Sequence, residues 1–271
     1  MTPVVSLHDA ELAYGSRVLW SGLDLQVQAG EFVGVLGPNG AGKSSLLRVL
    51  LGEQPLRHGR ALVCGEPVHR GSPLIGYIPQ HGALAPDTAI RGRDLVGFGW
   101  DGHRIGISLG SRAKKDAVQR AMQTVGATAY ADAPLSMLSG GERQRLRIAQ
   151  ALVTRPRLLL CDEPLLNLDL HHQREVAQAI DRVRRLEGTA VLFVTHEINP
   201  ILPLVDHVAY LAGGKARVGT AEEVMRAEVL SELYGAPVDV LHHHGRIVVL
   251  GGDDSATPGH DHHHEEAHEH G

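Results

Sequence analysis

The fold of this chain is indicated most clearly by the stretch Phe32-Val-Gly-Val-Leu36-Gly-Pro-Asn-Gly-Ala-Gly42-Lys43-Ser44. Its apolar start, Phe32–Leu36, predicts a strand, and the leucines of residues 44–51 share one face of a predicted helix. Between them, residues 37–44 have the spacing of a phosphate-binding loop, whose glycines leave backbone N–H groups free to turn towards an anion. The stretch therefore predicts a strand, a phosphate loop and a helix in succession.

The predicted loop supplies donors for phosphate groups and a hydroxyl for a metal ion. The helix that follows presents the positive end of its dipole to the phosphates. Lys43 can reach the β- and γ-phosphates of a nucleotide, and the Ser44 hydroxyl can bind Mg²⁺. The predicted nucleotide-binding residues of the loop and helix start are Gly37, Pro38, Asn39, Gly40, Ala41, Gly42, Lys43, Ser44 and Ser45.

A second apolar run, Leu158-Leu-Leu-Cys-Asp162-Glu163-Pro164, ends in two acidic residues. The carboxyl ends of strands face the ligand in an open parallel sheet, so we expect these acids beside the phosphates. Asp162 would hold Mg²⁺ through water, and Glu163 would polarise the attacking water. Without the phosphate loop, the same residues would read equally well as an acidic turn after a core strand.

The composition is that of an ordinary globular protein. Of 271 residues, 43% are hydrophobic and 21% charged, and the formal net charge of -5 gives no reason to expect a nucleic-acid partner. The apolar runs are strand-sized, so we expect no membrane span, and the first residues show no secretory signal. The two cysteines, Cys64 and Cys161, fit neither a disulfide framework nor a zinc site, and Cys161 is predicted to be a buried core thiol.

Strands that alternate with helices predict a mostly parallel sheet with helices on its faces. Short strands are predicted at 4–7, 18–19, 23–27, 157–161 and 190–195, and helices after Gly141 and at 171–186. Residues 81 to about 137 hold glycine-rich loops and one amphipathic helix, 111–125, which indicates an inserted helical subdomain over about 81–155. Residues 238–241 and 246–250 predict a hairpin, and 251–271 lack apolar residues, which predicts disorder.

The stretch Leu138-Ser139-Gly140-Gly141-Glu142-Arg143-Gln144-Arg145 precedes a predicted helix. Taken alone, it is either a second phosphate-binding helix end or a plain capping motif. Its eight residues resemble the signature sequence of ATP-binding cassette (ABC) proteins. The phosphate loop, signature, acid-tipped strand and a late histidine follow that family's order over roughly residues 4–235.

The resemblance implies a P-loop NTPase fold: a core with a mostly parallel sheet, a small antiparallel β subdomain and the inserted helical subdomain. It places the ATPase domain at 1–235, followed by a short extension at 236–250 and the tail. It also implies that two chains pack head to tail, with ATP and Mg²⁺ between the phosphate loop of one and the signature of the other. The signature residues would be Ser139, Gly140, Gly141 and Glu142.

The resemblance assigns four further roles. Tyr14 would stack on adenine, the alternative being a core or surface tyrosine. Gln80 would touch Mg²⁺ and link to the helical subdomain, and Asp169 would lie in a loop that crosses the dimer interface. His196 would contact the γ-phosphate, so that Glu163, Gln80 and His196 form the catalytic set. All core motif residues match the family, which predicts an active ATPase.

The residues after His196, Glu197-Ile-Asn-Pro-Ile-Leu-Pro-Leu-Val-Asp-His-Val-Ala-Tyr-Leu-Ala-Gly-Gly-Lys, resemble cassette ATPases of manganese and zinc uptake systems. The resemblance then implies an integral-membrane permease subunit, an extracytoplasmic metal-binding protein and a peripheral position on the cytoplasmic face of the cell membrane. Iron-chelate and cobalamin importers have similar cassettes. A non-transport cassette ATPase and a metal-sequestering binding module are the other hypotheses. The presence of a single cassette without a coiled coil disfavours the non-transport ATPase. The intact Glu163 and His196 disfavour the metal-sequestering module.

The tail is rich in imidazole beside carboxylate, a combination that suits Zn²⁺ or Mn²⁺. Residues 242–244 and 260–270 hold nine of the 18 histidines. The candidate ligands in the tail are His260, His262, His263, His264, His268 and His270. The alternative is an inert solubilising tail or a sequence added for expression.

Overall fold

The computed structural model describes residues 2–80, 90–101 and 111–251. The strands are β1 (Val5–Tyr14), β2 (Arg17–Val27), β3 (Phe32–Leu36), β4 (His58–Val63), β5 (Glu66–Pro67), β6 (Ile75–Ile78), β7 (Leu158–Asp162), β8 (Ala190–Val194), β9 (His207–Ala212), β10 (Lys215–Gly219), β11 (Asp239–His243) and β12 (Arg246–Leu250). The helices are α1 (Lys43–Leu50), α2 (Gly92–Asp101), α3 (Arg112–Thr124), α4 (Gly140–Leu152), α5 (Leu170–Glu187), α6 (Ala221–Val224) and α7 (Ala227–Tyr234).

A six-stranded sheet in the order β10-β9-β3-β8-β7-β6 forms the centre of the molecule. All neighbours are parallel except β10, which runs antiparallel to β9. A separate four-stranded antiparallel sheet has the order β2-β1-β4-β5, and β11 and β12 form a two-stranded sheet. This is the predicted α/β architecture with a mostly parallel core sheet and a small antiparallel sheet, and that prediction is confirmed.

Both faces of the central sheet are buried, which explains the continuous apolar runs of its strands. Val33 and Val35 of β3 belong to a core shared with the antiparallel sheet and α1. Phe32 and Leu36, which point to the opposite face, belong to a core shared with α2 to α5. Cys161 is fully buried in that second core, as predicted, and burial raises the pKa of its thiol.

Helix α2 corrects the expectation that residues 81 to about 137 hold only loops and one helix. Its three glycines weaken the sequence signal for a helix. The structure shows what they do: a Cβ at Gly99 would lie 2.1 Å from the backbone oxygen of Gln150, and one at Gly92 would lie 3.0 Å from Leu146. Gly92 and Gly99 therefore let α2 pack closely against α4.

The first two strands are longer than the short pieces predicted at 4–7, 18–19 and 23–27. β1 pairs with β2 over almost its whole length, but the register shifts three times between Leu7 and Ala13. Asp9, within the shifted part, has a φ of 43°. These irregularities break the alternation of apolar and polar residues on which strand prediction depends.

Other predicted elements are found within a residue or two, including α3, α5, β7, β8 and the β11–β12 hairpin. No strands were predicted from the sequence where the structure has β9 and β10. In the part of the chain that the structure describes, no helix has the length and apolar character to cross a bilayer. The predicted tail at 251–271 lies outside the described residues apart from Gly251.

Candidate active site

The phosphate loop connects β3 to α1, and its glycines are required by its close contacts. Gly37 has a φ of 139°, and a Cβ there would lie 2.0 Å from the backbone oxygen of Leu211 on β9. Gly42, with a φ of 91°, stands at the start of α1, and its Cβ would lie 2.9 Å from Trp20 Nε1. The loop is therefore held tightly against two neighbouring strands, and only glycine fits at these positions.

Lys43 is buried at the start of α1, with its ammonium group inside the loop. Its Nζ donates to the carbonyl oxygens of Gly37, at 2.7 Å, and Pro38, at 3.0 Å. Burial lowers the pKa of Lys43, whereas the charges of Glu163 and Asp162 act to raise it. A cation in this position can exchange its carbonyl contacts for phosphate oxygens without leaving the loop.

Asp162, at the end of β7, receives hydrogen bonds from two neighbouring hydroxyls. Ser44 Oγ donates to Asp162 Oδ1 at 2.8 Å, and Tyr77 Oη donates to Oδ2 at 3.4 Å. Burial, followed by the charge of Asp162, raises the pKa of Tyr77 to about 12, so the phenol stays neutral. Hydroxyl and carboxylate oxygens are the hard ligands that Mg²⁺ prefers, so the Ser44–Asp162 pair fits that ion.

Glu163 follows β7 in a left-handed backbone conformation, with φ 47°. Its N–H donates to the carbonyl of Val194 on β8 at 3.0 Å, and its side chain is 15% exposed. Gln80 Nε2 donates to Glu163 Oε2 at 3.2 Å, and His196 Nδ1 lies 3.9 Å from the same oxygen. The structure thus brings together the three residues predicted to be catalytic. A strained backbone at such a position is typical of an active site.

A cleft of about 890 Å³ opens beside the phosphate loop. It is lined by loop residues and by Gln80, Glu163 and His196, together with residues that the sequence reading missed. The missed lining residues include Asn199, Tyr210, Tyr234, Ile247 and Val249. These residues belong to no sequence motif. They line the cleft because of the order of the strands in the sheet and the position of the C-terminal hairpin.

Tyr14 lies at the edge of the phosphate loop's helix, where it is 45% exposed. Its hydroxyl is 3.4 Å from Ser45 Oγ on the first turn of α1. Tyr14 is therefore a surface tyrosine beside the predicted nucleotide site. Its role in adenine stacking stays a prediction.

The signature forms the start of α4 as a capping box. Ser139 Oγ accepts from the Glu142 N–H at 3.2 Å, and the Ser139 N–H donates to Glu142 Oε2 at 2.8 Å. That backbone hydrogen bond is the main reason that the pKa of Glu142 is lowered. The capping function is thus present, and contact with a phosphate stays a prediction.

The signature lies against the start of α5. A Cβ at Gly141 would lie 2.5 Å from His172 Cδ2. Asp169 caps α5 and accepts from the His172 N–H at 2.9 Å, so the predicted interface loop adjoins the signature. None of the four signature residues, all of which the structure describes, lines the cleft beside the phosphate loop.

The comparisons with known proteins agree with this geometry. Residues 20–166 match the sequence pattern of the family described as ABC transporter. The hemin import ATP-binding protein HmuV of Streptomyces coelicolor is 38% identical over 237 residues, covering 84% of this chain and 82% of that protein. The zinc import ATP-binding protein ZnuC of Pseudomonas putida is 33% identical over 246 residues, covering 89% of this chain and 88% of that protein.

A solved structure shows the same fold. The matching chain comes from a transporter described as being of metal-chelate type, in an inward-facing conformation. It superposes with a TM-score of 0.76 at 24% identity and covers 92% of this chain and 96% of its own length. With the phosphate loop, the acid-tipped strand and the relatives in agreement, the chain belongs to the ABC transporter family as an ATP-binding subunit that hydrolyses ATP.

Proposed function

We propose that Glu163, Gln80 and His196 carry out ATP hydrolysis in the cleft beside the phosphate loop. The observation that carries this proposal is the 2.8 Å hydrogen bond from Ser44 to Asp162, which joins the loop to the acid-tipped strand. With the loop and this strand joined, the carboxylate of Glu163 would lie next to the β- and γ-phosphates held by loop donors and Lys43.

In the proposed reaction, Glu163 polarises a water molecule and accepts its proton. The water oxygen bonds to the γ-phosphorus, the bond to the β–γ bridging oxygen breaks, and ADP and phosphate leave. Gln80 orients the Glu163 carboxylate by its hydrogen bond, and His196 donates to the γ-phosphate. Mg²⁺, held through Ser44, Asp162 and Gln80, would neutralise charge that develops on the phosphates.

We further propose that a second copy of the chain completes the site, head to tail. The signature residues line no part of the cleft of their own chain, yet glycines at a capped helix start suit phosphate binding. A partner chain facing the cleft would bring Ser139, Gly140 and Gly141 to the γ-phosphate. Asp169, which adjoins the signature, would then lie in the interface. Tyr14 would stack on the adenine.

At the level of the whole system, we propose that hydrolysis drives import through an integral-membrane permease. The chain would sit as a peripheral subunit on the cytoplasmic face of the cell membrane, with an extracytoplasmic binding protein delivering the cargo. The ATPase domain would span 1–235, with a helical subdomain at about 81–155. The extension at 236–250 and the tail at 251–271 would follow it.

For the cargo, we propose a metal, imported as a divalent ion or as a chelate. Zinc or manganese is favoured because the residues after His196 resemble those of manganese and zinc uptake ATPases. A zinc import relative is also 33% identical to this chain. An iron chelate such as hemin is the second candidate, favoured by the 38% identity of the hemin import relative.

Reconstitution with the co-purifying membrane subunit distinguishes these cargoes. Vesicles containing the complex, with this chain and MgATP in the lumen and the cognate binding protein outside, would be assayed for uptake of a polyamine, as a metal-free comparison, and of four metal cargoes, Zn²⁺, Mn²⁺, hemin and a ferric hydroxamate. We expect ATP-dependent accumulation of one of these and none with Glu163→Gln. Accumulation of a metal-free cargo, such as a polyamine, with no metal uptake would contradict the proposal.

A further inference from the structure

Asn199 uses both ends of its side-chain amide on one residue of the C-terminal hairpin. Its Nδ2 donates to the carbonyl of Ile247 at 2.9 Å, and its Oδ1 accepts from the Ile247 N–H at 2.8 Å. Asn199 is partly buried, and Ile247 is 7% exposed. Because both hydrogen bonds go to one residue at a partly buried position, a movement of the loop that breaks either of them leaves a polar group without its partner.

Asn199 lies in the loop 195–206, which joins β8 to β9, three residues after His196. At the start of the loop, the Thr195 N–H donates to the carbonyl of Val35, which fixes the loop to β3. Thr195 Oγ1 also accepts from the Glu197 N–H at 3.2 Å and donates to the Glu197 carbonyl at 3.0 Å. The part of the loop that carries His196 is thus attached to β3 at Thr195 and to β12 at Asn199.

The His196 side chain lies between these two attachments and is itself weakly held. It is 56% exposed, and its Nδ1 is 3.9 Å from Glu163 Oε2, which is too long for a hydrogen bond. Its place over the cleft is therefore set mainly by the backbone of the loop.

The C-terminal hairpin is anchored by Val238 and Ile247, and part of it lines the cleft. Val238, just before β11, is 3% exposed, and its N–H donates to Ser231 Oγ on α7 at 2.9 Å. Ile247 belongs to the core shared with α2 to α5, and Val249 packs against that core. Val248 and Val249 line the same cleft as His196 and Glu163. A segment that is anchored in the core beside the reaction site can hold a neighbouring loop in place.

We propose that Asn199 is a positioning residue for ATP hydrolysis, which fastens the His196 loop to the C-terminal hairpin and so holds the imidazole at the γ-phosphate. This inference rests on the proposed role of His196. It gives Ile247 of β12 a supporting part in hydrolysis, although Asn199 need not touch the reacting atoms.

The test measures kcat and KM for MgATP hydrolysis with a sensitive phosphate-release assay. We expect Asn199→Ala to lower kcat about tenfold and to leave KM within about twofold, because the phosphate loop is untouched. In a His196→Ala background, Asn199→Ala should lower kcat by less than about twofold, since the residue to be positioned is already gone. A purely structural role would cost activity equally in both backgrounds.

Two further variants keep the test decisive. Leu241→Ala, on an exposed position of the same hairpin, is the matched control and should leave kcat unchanged. Asn199→Ser, a milder change that cannot span both hydrogen bonds, replaces Asn199→Ala if thermal unfolding shows that the latter does not fold. The inference would be overturned if Asn199→Ala left kcat unchanged, or if it lowered kcat about tenfold in both the parent and the His196→Ala background. If His196→Ala alone leaves kcat unchanged, the proposed role of His196 fails, which is a separate result.

Discussion

Glu163 shows how one residue's backbone serves its chemistry. The residue turns out of the end of β7 with φ 47°, while its N–H remains paired with Val194 on the neighbouring strand. The turn follows the end of β7 and leaves the carboxylate beside Gln80 and His196. Conformational strain of about 1–3 kcal/mol at such a position is offset by the rest of the fold.

Glu163→Gln should keep ATP binding and lower the rate of hydrolysis by about 10²–10⁴-fold, because the amide cannot accept the proton of the attacking water. The rate is measured by phosphate release, and binding by titration with ATP. Lys43→Ala is the contrasting variant, for which we expect weaker ATP binding. Hydrolysis by Glu163→Gln within a few-fold of the parent would remove Glu163 from the role of base.

Among single residues, the sequence pattern predicted those that belong to contiguous motifs. Lys43, Ser44 and Asp162 were identified because the loop and the acid-tipped strand have recognisable spacing, and the structure joins Ser44 to Asp162. Tyr77 and Asn199 were missed. Tyr77 reaches Asp162 only because β6 pairs with β7, and Asn199 reaches Ile247 only because the chain returns as a hairpin. Pairings between distant segments leave no local sign in a single sequence.

At the scale of elements, helix α2 depends on a close approach to α4. Gly99→Ala should lower the free energy of unfolding by roughly 1–3 kcal/mol, because its Cβ would lie 2.1 Å from the Gln150 carbonyl oxygen and backbone would have to shift. Gly97→Ala is the matched control in the same helix. Its Cβ would meet only the flexible end of Lys114, at 3.2 Å, so we expect a neutral or stabilising effect.

Urea denaturation of both variants provides the comparison. Equal midpoints for Gly99→Ala and Gly97→Ala would show that helix propensity alone governs this helix. The same contacts explain why α2 was not predicted, since the glycines that permit the packing are the residues that weaken a helix signal. Strands such as β3 and β8 were predicted because burial on both faces requires an unbroken apolar run.

At the scale of the whole chain, the histidine-rich tail is expected to act apart from the ATPase. Residues 252–271 carry six histidines interspersed with acids, and neutral imidazole is a good ligand for Zn²⁺ near pH 7. Deleting 252–271 should remove most Zn²⁺ and Mn²⁺ binding, measured by calorimetry, and leave the ATPase rate unchanged. Binding by the full chain should weaken below about pH 6, as the imidazoles protonate. Equal binding by the full and shortened chains would show that the tail is inert.

In the proposed dimer, two chains build each ATP site, and two inactive variants can test this arrangement together. Lys43→Ala disables the phosphate loop of its own chain, and Ser139→Arg places a bulky cation in the signature offered to the partner. In a mixed dimer, the phosphate loop of the Ser139→Arg chain faces the intact signature of the Lys43→Ala chain. One of the two sites is then complete. The control replaces the Lys43→Ala chain with a chain carrying both substitutions, which leaves no complete site.

The measurement is MgATP hydrolysis by each variant alone and by an equimolar mixture. Each variant alone should be nearly inactive. The mixture should recover roughly a quarter of the parent's rate, because half of the dimers are mixed and each mixed dimer has one intact site. The control mixture should recover nothing. A test mixture no more active than its separate components would contradict the head-to-tail site.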